Sequence, residues 1–299
     1  MGASMGKREL SPGVLSSGAR LVVPVMAATG GSGRSTVADL LAGHLAAAGA
    51  STVVLDTAPR LSSPWPSWTA GQYAGGLGAL PPDRPLTRSQ VQRAAALRPG
   101  ADRPGWQVLT DGRDWHSLPL ALPHAPAAWL QLAAIGGWQC VVADTPHPVA
   151  HDILESRCAG QDGRTRSWCE LPYAVPVLCA SATASGIQAL QQAVMAMHAD
   201  GMPLQRTVAV LVAQADGRLP AVVRAGATML SARTAAVVHF PHDPHIRAHG
   251  LRTVSRLRSR TQQAAGLLGQ EVLAAAGASW GTPLPDAPRP APLAVVSHS

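Results

Sequence analysis

Met26-Ala27-Ala28-Thr29-Gly30-Gly31-Ser32-Gly33-Arg34-Ser35-Thr36 is the stretch on which the reading of this chain turns. An apolar run, residues 21–27, leads into it. Val37, Leu40, Leu41 and Leu45 leave it at helical spacing, predicting a helix over residues 35–48. Between them, glycines permit positive φ and let backbone N–H groups face one point. The start of a helix adds unpaired N–H groups and the positive end of its dipole. Arg34 supplies a cation, and Ser35 a hydroxyl where phosphate loops hold Mg²⁺. The natural occupant is an anion, the β-phosphate of a nucleotide. The strict pattern G-x-x-x-x-G-K-[ST] is not met: aligned on Gly33, its first glycine falls on Ala28 and its lysine on Arg34. Glycines alone would equally make a plain strand-to-helix connection. The helix start and the hydroxyl, in phase with a phosphate loop, favour the phosphate reading.

Two further runs support it. Val53-Val54-Leu55-Asp56 and Cys140-Val141-Val142-Ala143-Asp144-Thr145-Pro146 are apolar strands that end in Asp. Ligands of a parallel sheet lie beyond the carboxyl ends of its strands, so Asp56 and Asp144 are candidates to hold Mg²⁺ or its waters beside Ser35. Taken singly, each Asp would read as a turn or helix cap. Strands over residues 52–55, 107–109, 140–143, 175–180, 207–213 and 235–240 alternate with helices over 127–134, 186–199, 221–230 and 261–276. This alternation predicts βαβ units and a mostly parallel sheet with helices on both faces, in a single domain. Pro24, inside the first strand, conflicts with a ladder that needs its N–H. Residues 57–105 are rich in Pro, Gly and Ser, with Trp65 and Trp68, and read as a long insertion with one short helix at 89–97. Residues 1–19 and the Pro-rich 281–299 read as tails on a core spanning 20–280.

The 299 residues carry 24 Lys and Arg against 17 Asp and Glu, for a net charge of +7. Lys7 is the only lysine, so Schiff-base chemistry and an ordinary P-loop lysine are both excluded. The basic balance permits contact with nucleic acid or anionic lipid. Four cysteines do not make a disulfide framework, which points to a reduced, cytoplasmic setting. No apolar run approaches the ~20 residues that span a bilayer. Neither a signal peptide nor a myristoylation motif is expected: Ser11–Arg20 is polar and position six is Gly6.

With these residues in order, the chain resembles the ParA/MinD family of P-loop ATPases, whose deviant Walker A motif reads K-G-G-x-G-K-[ST]. Thr29-Gly30-Gly31-Ser32-Gly33-Arg34-Ser35 matches its glycines and hydroxyl, and residues 52–56 resemble its second strand. Residues 141–146 resemble its Walker B strand, and 177–186 a later strand and turn. Phe240-Pro241-His242-Asp243-Pro244 resembles the loop that abuts the adenine, and Gln214 stands where an Asn often reads the base. The resemblance spans about residues 20 to 275. It implies the P-loop NTPase fold and an ATP·Mg²⁺ site built from residues 29–36, Gln214, Pro241 and Asp243, with Arg34, Asp56 and Asp144 at its reacting end. It also implies a nucleotide-dependent homodimer and a role as a switch in partitioning, DNA transfer or apparatus assembly. Both family lysines are replaced, by Thr29 and Arg34. A planar guanidinium fits poorly where a compact ammonium is expected, and two cations on the transferred phosphoryl are lost. Slow hydrolysis is therefore expected, and a catalytically dead scaffold is the alternative. A metabolic ligase on the same scaffold is a third reading, for which the sequence supplies no substrate pocket.

Other features stay open. His147, His151, Cys158 and Cys169 could bind zinc, or lie in the segment after Walker B, which in this family is a nucleotide-sensitive switch. Arg247, Arg252, Arg256, Arg258 and Arg260 form a basic run that suits nonspecific DNA through phosphates, or a solvated helix face. The protein partner is not identifiable from the sequence. The prolines of 281–292 exclude the C-terminal membrane helix of MinD-type relatives.

Overall fold

A computed structural model describes residues 15–69, 75–81, 84–98, 105–252 and 256–289. In chain order the elements are β1 (Leu21–Ala27), α1 (Arg34–Ala47), β2 (Thr52–Asp56), α2 (Trp65–Trp68), α3 (Arg88–Ala94), β3 (Ala96–Arg98) and β4 (Trp106–Leu109). There follow α4 (Pro126–Gly136), β5 (Cys140–Pro148), α5 (Val149–Ala159), α6 (Arg164–Cys169), β6 (Val177–Ser181) and α7 (Ala184–Ala199). The chain closes with β7 (Val208–Val212), α8 (Ala221–Ser231), β8 (Ala236–Phe240), α9 (Pro244–His249) and α10 (Ser259–Trp280).

The eight strands form one sheet in the order β3-β4-β2-β5-β1-β6-β7-β8. All neighbours are parallel except β3 and β4. Strands buried on both faces read as continuous apolar runs, which is why Leu21–Ala27 and Val208–Val212 lack alternation. Successive side chains still divide between the faces. Leu21, Val23 and Val25 pack with Leu41, Leu45, Leu268 and Val272 of α1 and α10. Met26, Leu178 and Leu211 pack with α5, α7 and α8, and Val22, Val53 and Val141 with α3, α4 and α6. Helices thus cover both faces, as expected for the P-loop NTPase fold.

The register resolves the conflict at Pro24. Alternation turns its nitrogen the same way as that of Val22, whose N–H donates to the Tyr173 carbonyl just ahead of β6. The β1–β6 ladder only begins at Val25 opposite Val177, so a single bond is forgone where that ladder starts.

The 57–105 segment is more than a looped insertion. The helix expected at 89–97 ends at Ala94, and Ala96–Arg98 adds an antiparallel edge strand to β4. Its alternation is local: Ala96 and Arg98 are buried and Leu97 is exposed. A Thr87–Gln90 capping box starts α3. The segment after β5, which the resemblance reads as a nucleotide-sensitive switch, holds α5 and α6. Residues 15–19 and 281–289, read as parts of two tails, lie together on the core: Leu15 bridges Leu284, which is buried, and Ala287 N–H donates to the Gly18 carbonyl. The rest of both expected tails, 1–14 and 290–299, lies outside the described residues.

Candidate functional site

The strand–loop–helix stretch folds as its residues demand. Gly31 and Gly33 take φ of 71° and 78°, the region glycine reaches without strain. Gly33 is the N-cap of α1, and no side chain caps that end. Among the described residues, none accepts a hydrogen bond from the backbone N–H groups of residues 29–36. A Cβ added at Gly30 or Gly31 would meet nothing within 4 Å, so the loop faces open space. The Ser32 hydroxyl is buried without a partner. The loop lines a cavity of about 210 Å³, closed on one side by Pro64 and Trp68 of the 57–105 segment. Unpaired N–H groups, a buried hydroxyl and a helix N-terminus around an open space fit a phosphate group.

The metal side differs from expectation. Asp56 and Asp144 are neighbours across β2 and β5, and both are buried. One Asp144 oxygen is ion-paired with the Arg34 Nε. The other accepts a 2.7 Å hydrogen bond from the Trp65 indole, itself fully buried. Asp56 accepts from Thr110 Oγ1 at 2.6 Å, Ser63 Oγ at 2.7 Å and Ala58 N–H at 3.2 Å. Burial raises the Asp56 carboxyl to about 7 and the charge of Asp144 adds to the rise, while the Thr110, Ser63 and Ala58 donors oppose it. Mg²⁺ asks for ionised oxygens free to approach at about 2.1 Å. The expected set of Ser35, Asp56 and Asp144 is therefore not an open set of Mg²⁺ ligands: protein donors occupy both carboxyl groups. Arg34 likewise turns back to Asp144.

Three expected base contacts do not reach the loop cavity. Gln214 is exposed and donates to the Val212 carbonyl at 3.3 Å. Pro241 is half-buried and absent from the cavity wall. Asp243 is buried and caps α9, accepting from His245 N–H at 3.0 Å, Arg258 N–H at 3.0 Å and Thr261 Oγ1 at 2.7 Å. Burial would raise its carboxyl, yet these bonds hold it below the ordinary range.

The expected zinc residues do not converge either. His147 contacts Thr165, His151 pairs with Glu155, Cys158 is exposed and Cys169 buried. No group of three metal-ligating side chains is present among the described residues. The arginine run divides. Arg258 and Arg260 both bind Asp216. Arg252 and Arg256 line a groove of about 650 Å³ with Trp68, His245 and His249.

The residues that sequence reasoning missed are Trp65, Ser63 and Thr110. Nothing in the pattern Ser63-Pro64-Trp65 announces a contact with a carboxylate 79 positions away.

No protein-family model matches the chain, and no curated protein sequence matches it. Solved structures do. A ParA family ATPase from Chlorobium tepidum TLS aligns with a TM-score of 0.53 at 12% identity, covering 84% of this chain and 99% of that one. The septum site-determining protein MinD from Pyrococcus horikoshii OT3, complexed with Mg-ADP, gives 0.51 at 17% identity, covering 85% and 96%. The pNOB8 ParA bound to nonspecific DNA gives 0.50 at 10% identity, covering 86% and 98%. The chain has the fold of the ParA/MinD ATPases. Among the described residues, no helix is long and apolar enough to cross a membrane.

Proposed function

We propose that this chain binds ATP through the loop of residues 29–36 and works as a nucleotide-dependent switch of the ParA/MinD type, with slow hydrolysis. The observation that carries the reading is the array of N–H groups over residues 29–36 with no acceptor among the described residues, in a loop that lines an open cavity at a helix N-terminus. Ser35 and Thr36 would add hydroxyls to the phosphates. The two similar proteins with Mg-ADP or DNA in their structures support nucleotide use and DNA contact as working expectations for this chain. Of the basic run, Arg252 and Arg256 are the better DNA candidates, since Arg258 and Arg260 already hold Asp216.

The alternative, a pseudo-ATPase scaffold, is favoured by one observation. The carboxylate that should serve the metal is satisfied by Trp65 and Arg34, and neither family lysine is present. One experiment separates the two readings. A fluorescent ATP analogue is titrated with and without Mg²⁺, and phosphate release is followed in the same samples. Binding with measurable turnover supports the switch. Binding without turnover, with turnover gained by Thr29→Lys plus Arg34→Lys, supports the scaffold. No binding by the wild type sinks the switch.

A further inference from the structure

A second cavity opens at the same carboxyl edge of the sheet, lined in part by residues that follow Asp56 and Asp144 in the chain, Thr57, Pro59, Pro146 and His147. It has a volume of about 300 Å³ and lies between the ends of β2 and β5, the 120–124 loop, α4 and α6. Ligand pockets of this fold class favour that edge, and the volume is at the small end of the range for small-molecule sites.

The lining is of two kinds. Leu120, Leu122, Pro123, Trp129 and Trp168 make an apolar wall. Against it stand His147 and Arg164. His147 is only 7% exposed; its Nε2 lies 3.2 Å from Thr165 Oγ1 and its Nδ1 has no hydrogen-bond partner. A buried polar atom left unpaired is costly, and a ligand that pairs it recovers that cost. Arg164 is exposed at the rim, and the bond it makes among the described residues is through its backbone N–H, to Asp152. The acid nearest to these groups, Asp152, accepts from the N–H groups of Arg164 at 3.2 Å and Thr165 at 2.7 Å, which start α6. Burial pulls the His147 ring down to about 4, with the Asp152 charge opposing and Arg164 and Arg34 assisting, so the ring is neutral at physiological pH.

We propose that this cavity binds a small carboxylic acid with an apolar body. The body takes the leucine, proline and tryptophan wall. The carboxylate takes the Arg164 guanidinium, with the unpaired nitrogen of His147 completing its surroundings. One guanidinium and no run of backbone N–H groups suit a monoanion rather than a phosphate ester. The proposal is independent of nucleotide binding and supplies the substrate-type pocket that the sequence did not show.

The test uses the full chain without nucleotide. Hexanoate, phenylacetate, 3-phenylpropionate and indole-3-acetate are screened by saturation-transfer NMR and titrated by calorimetry, each beside its neutral amide. At least one acid should bind, with its amide at least about tenfold weaker, the loss expected for one charge-assisted bond. Arg164→Gln, a surface change, should weaken that acid by about tenfold. Leu122→Trp should abolish binding by filling the cavity, with the circular dichroism spectrum unchanged. The proposal is overturned if no acid binds, if acid and amide bind equally, or if Arg164→Gln leaves the affinity of the acid unchanged.

Discussion

Replacing Trp65 by Phe isolates the contact that closes the metal side of the loop cavity. The substitution keeps an aromatic ring in a fully buried position and deletes only the N–H that donates to Asp144 at 2.7 Å. A hydrogen bond to an ionised group contributes about 1.5–3 kcal/mol. If Mg²⁺-bound nucleotide can reach Asp144 only after Trp65 lets go, the competent state is a minor one, and apparent affinity is reduced by its population. Removing the bond raises that population by about 10- to 100-fold at 1.4 kcal/mol per tenfold. Trp65→Phe should therefore bind ATP·Mg²⁺ about 10- to 100-fold more tightly than the wild type. Affinity measured in EDTA should stay within about twofold, because the N–H groups of residues 29–36 do not involve Trp65. The same change should lower folding stability by about 1–3 kcal/mol, since Asp144 loses one of its two donors. The assay is a fluorescent-ATP titration with and without Mg²⁺, alongside a denaturation curve. An unchanged or weaker Mg²⁺-dependent affinity would refute the reasoning, because Trp65 would then be packing rather than a closure.

Three other outcomes follow from the same geometry. Arg98 binds both oxygens of buried Asp39, at 3.1 and 2.7 Å, and also the carbonyls of Trp68 and Leu251. Arg98→Ala should cost about 3–5 kcal/mol in a denaturant titration, because it strands a buried carboxylate; a cost under about 1 kcal/mol would show that Asp39 is stabilised by other groups. Gly33→Ala combines a φ of 78° with a Cβ 3.1 Å from Val212 Cγ1. It should destabilise the chain by about 1–2 kcal/mol and weaken ATP binding, and a variant with wild-type stability would contradict the loop geometry. Two buried groups make opposed contributions to the pH dependence of stability. Between about 4 and 7 folded Asp56 keeps a proton that the unfolded chain releases near 3.8, so its contribution falls as pH rises. Between about 4 and 6.5 the unfolded chain holds a His147 proton that the folded state lacks, so that contribution rises with pH. Asp56→Asn should therefore make stability climb more steeply from pH 4 to 6.5, and His147→Phe should make it decline; parallel curves for all three proteins would refute the assignment.

What was legible in the sequence and what was not divide along a physical line. Local periodicity and turn chemistry marked the strand at 21–27, the helix beginning at the phosphate-type loop and the strand that ends at Asp56, because those depend on neighbours in the chain, whereas β5 runs on past Asp144 to Pro148. The occupants of Asp56 and Asp144 depend on a segment of low regularity folding back across the sheet edge, and no spacing rule reaches from Trp65 to Asp144. The edge strand at 96–98 escaped for a related reason: three residues are too few for alternation to outweigh the helical pattern that runs into them. The single lysine of the composition bears on the same point. A buried carboxylate with no ammonium nearby still requires donors, and at Asp144 this chain supplies an arginine Nε and an indole instead. The two are coupled through one carboxylate. Weakening Trp65 leaves Arg34 as the side-chain donor to the Asp144 carboxylate among the described residues, and placing Lys at position 34 leaves Trp65 to satisfy more of it. The effects of Trp65→Phe and Arg34→Lys on stability should accordingly be non-additive, with a coupling of about 0.5–3 kcal/mol in a double-mutant cycle. Strict additivity would mean that the two side chains act on Asp144 separately, and the picture of a jointly closed metal side would fail.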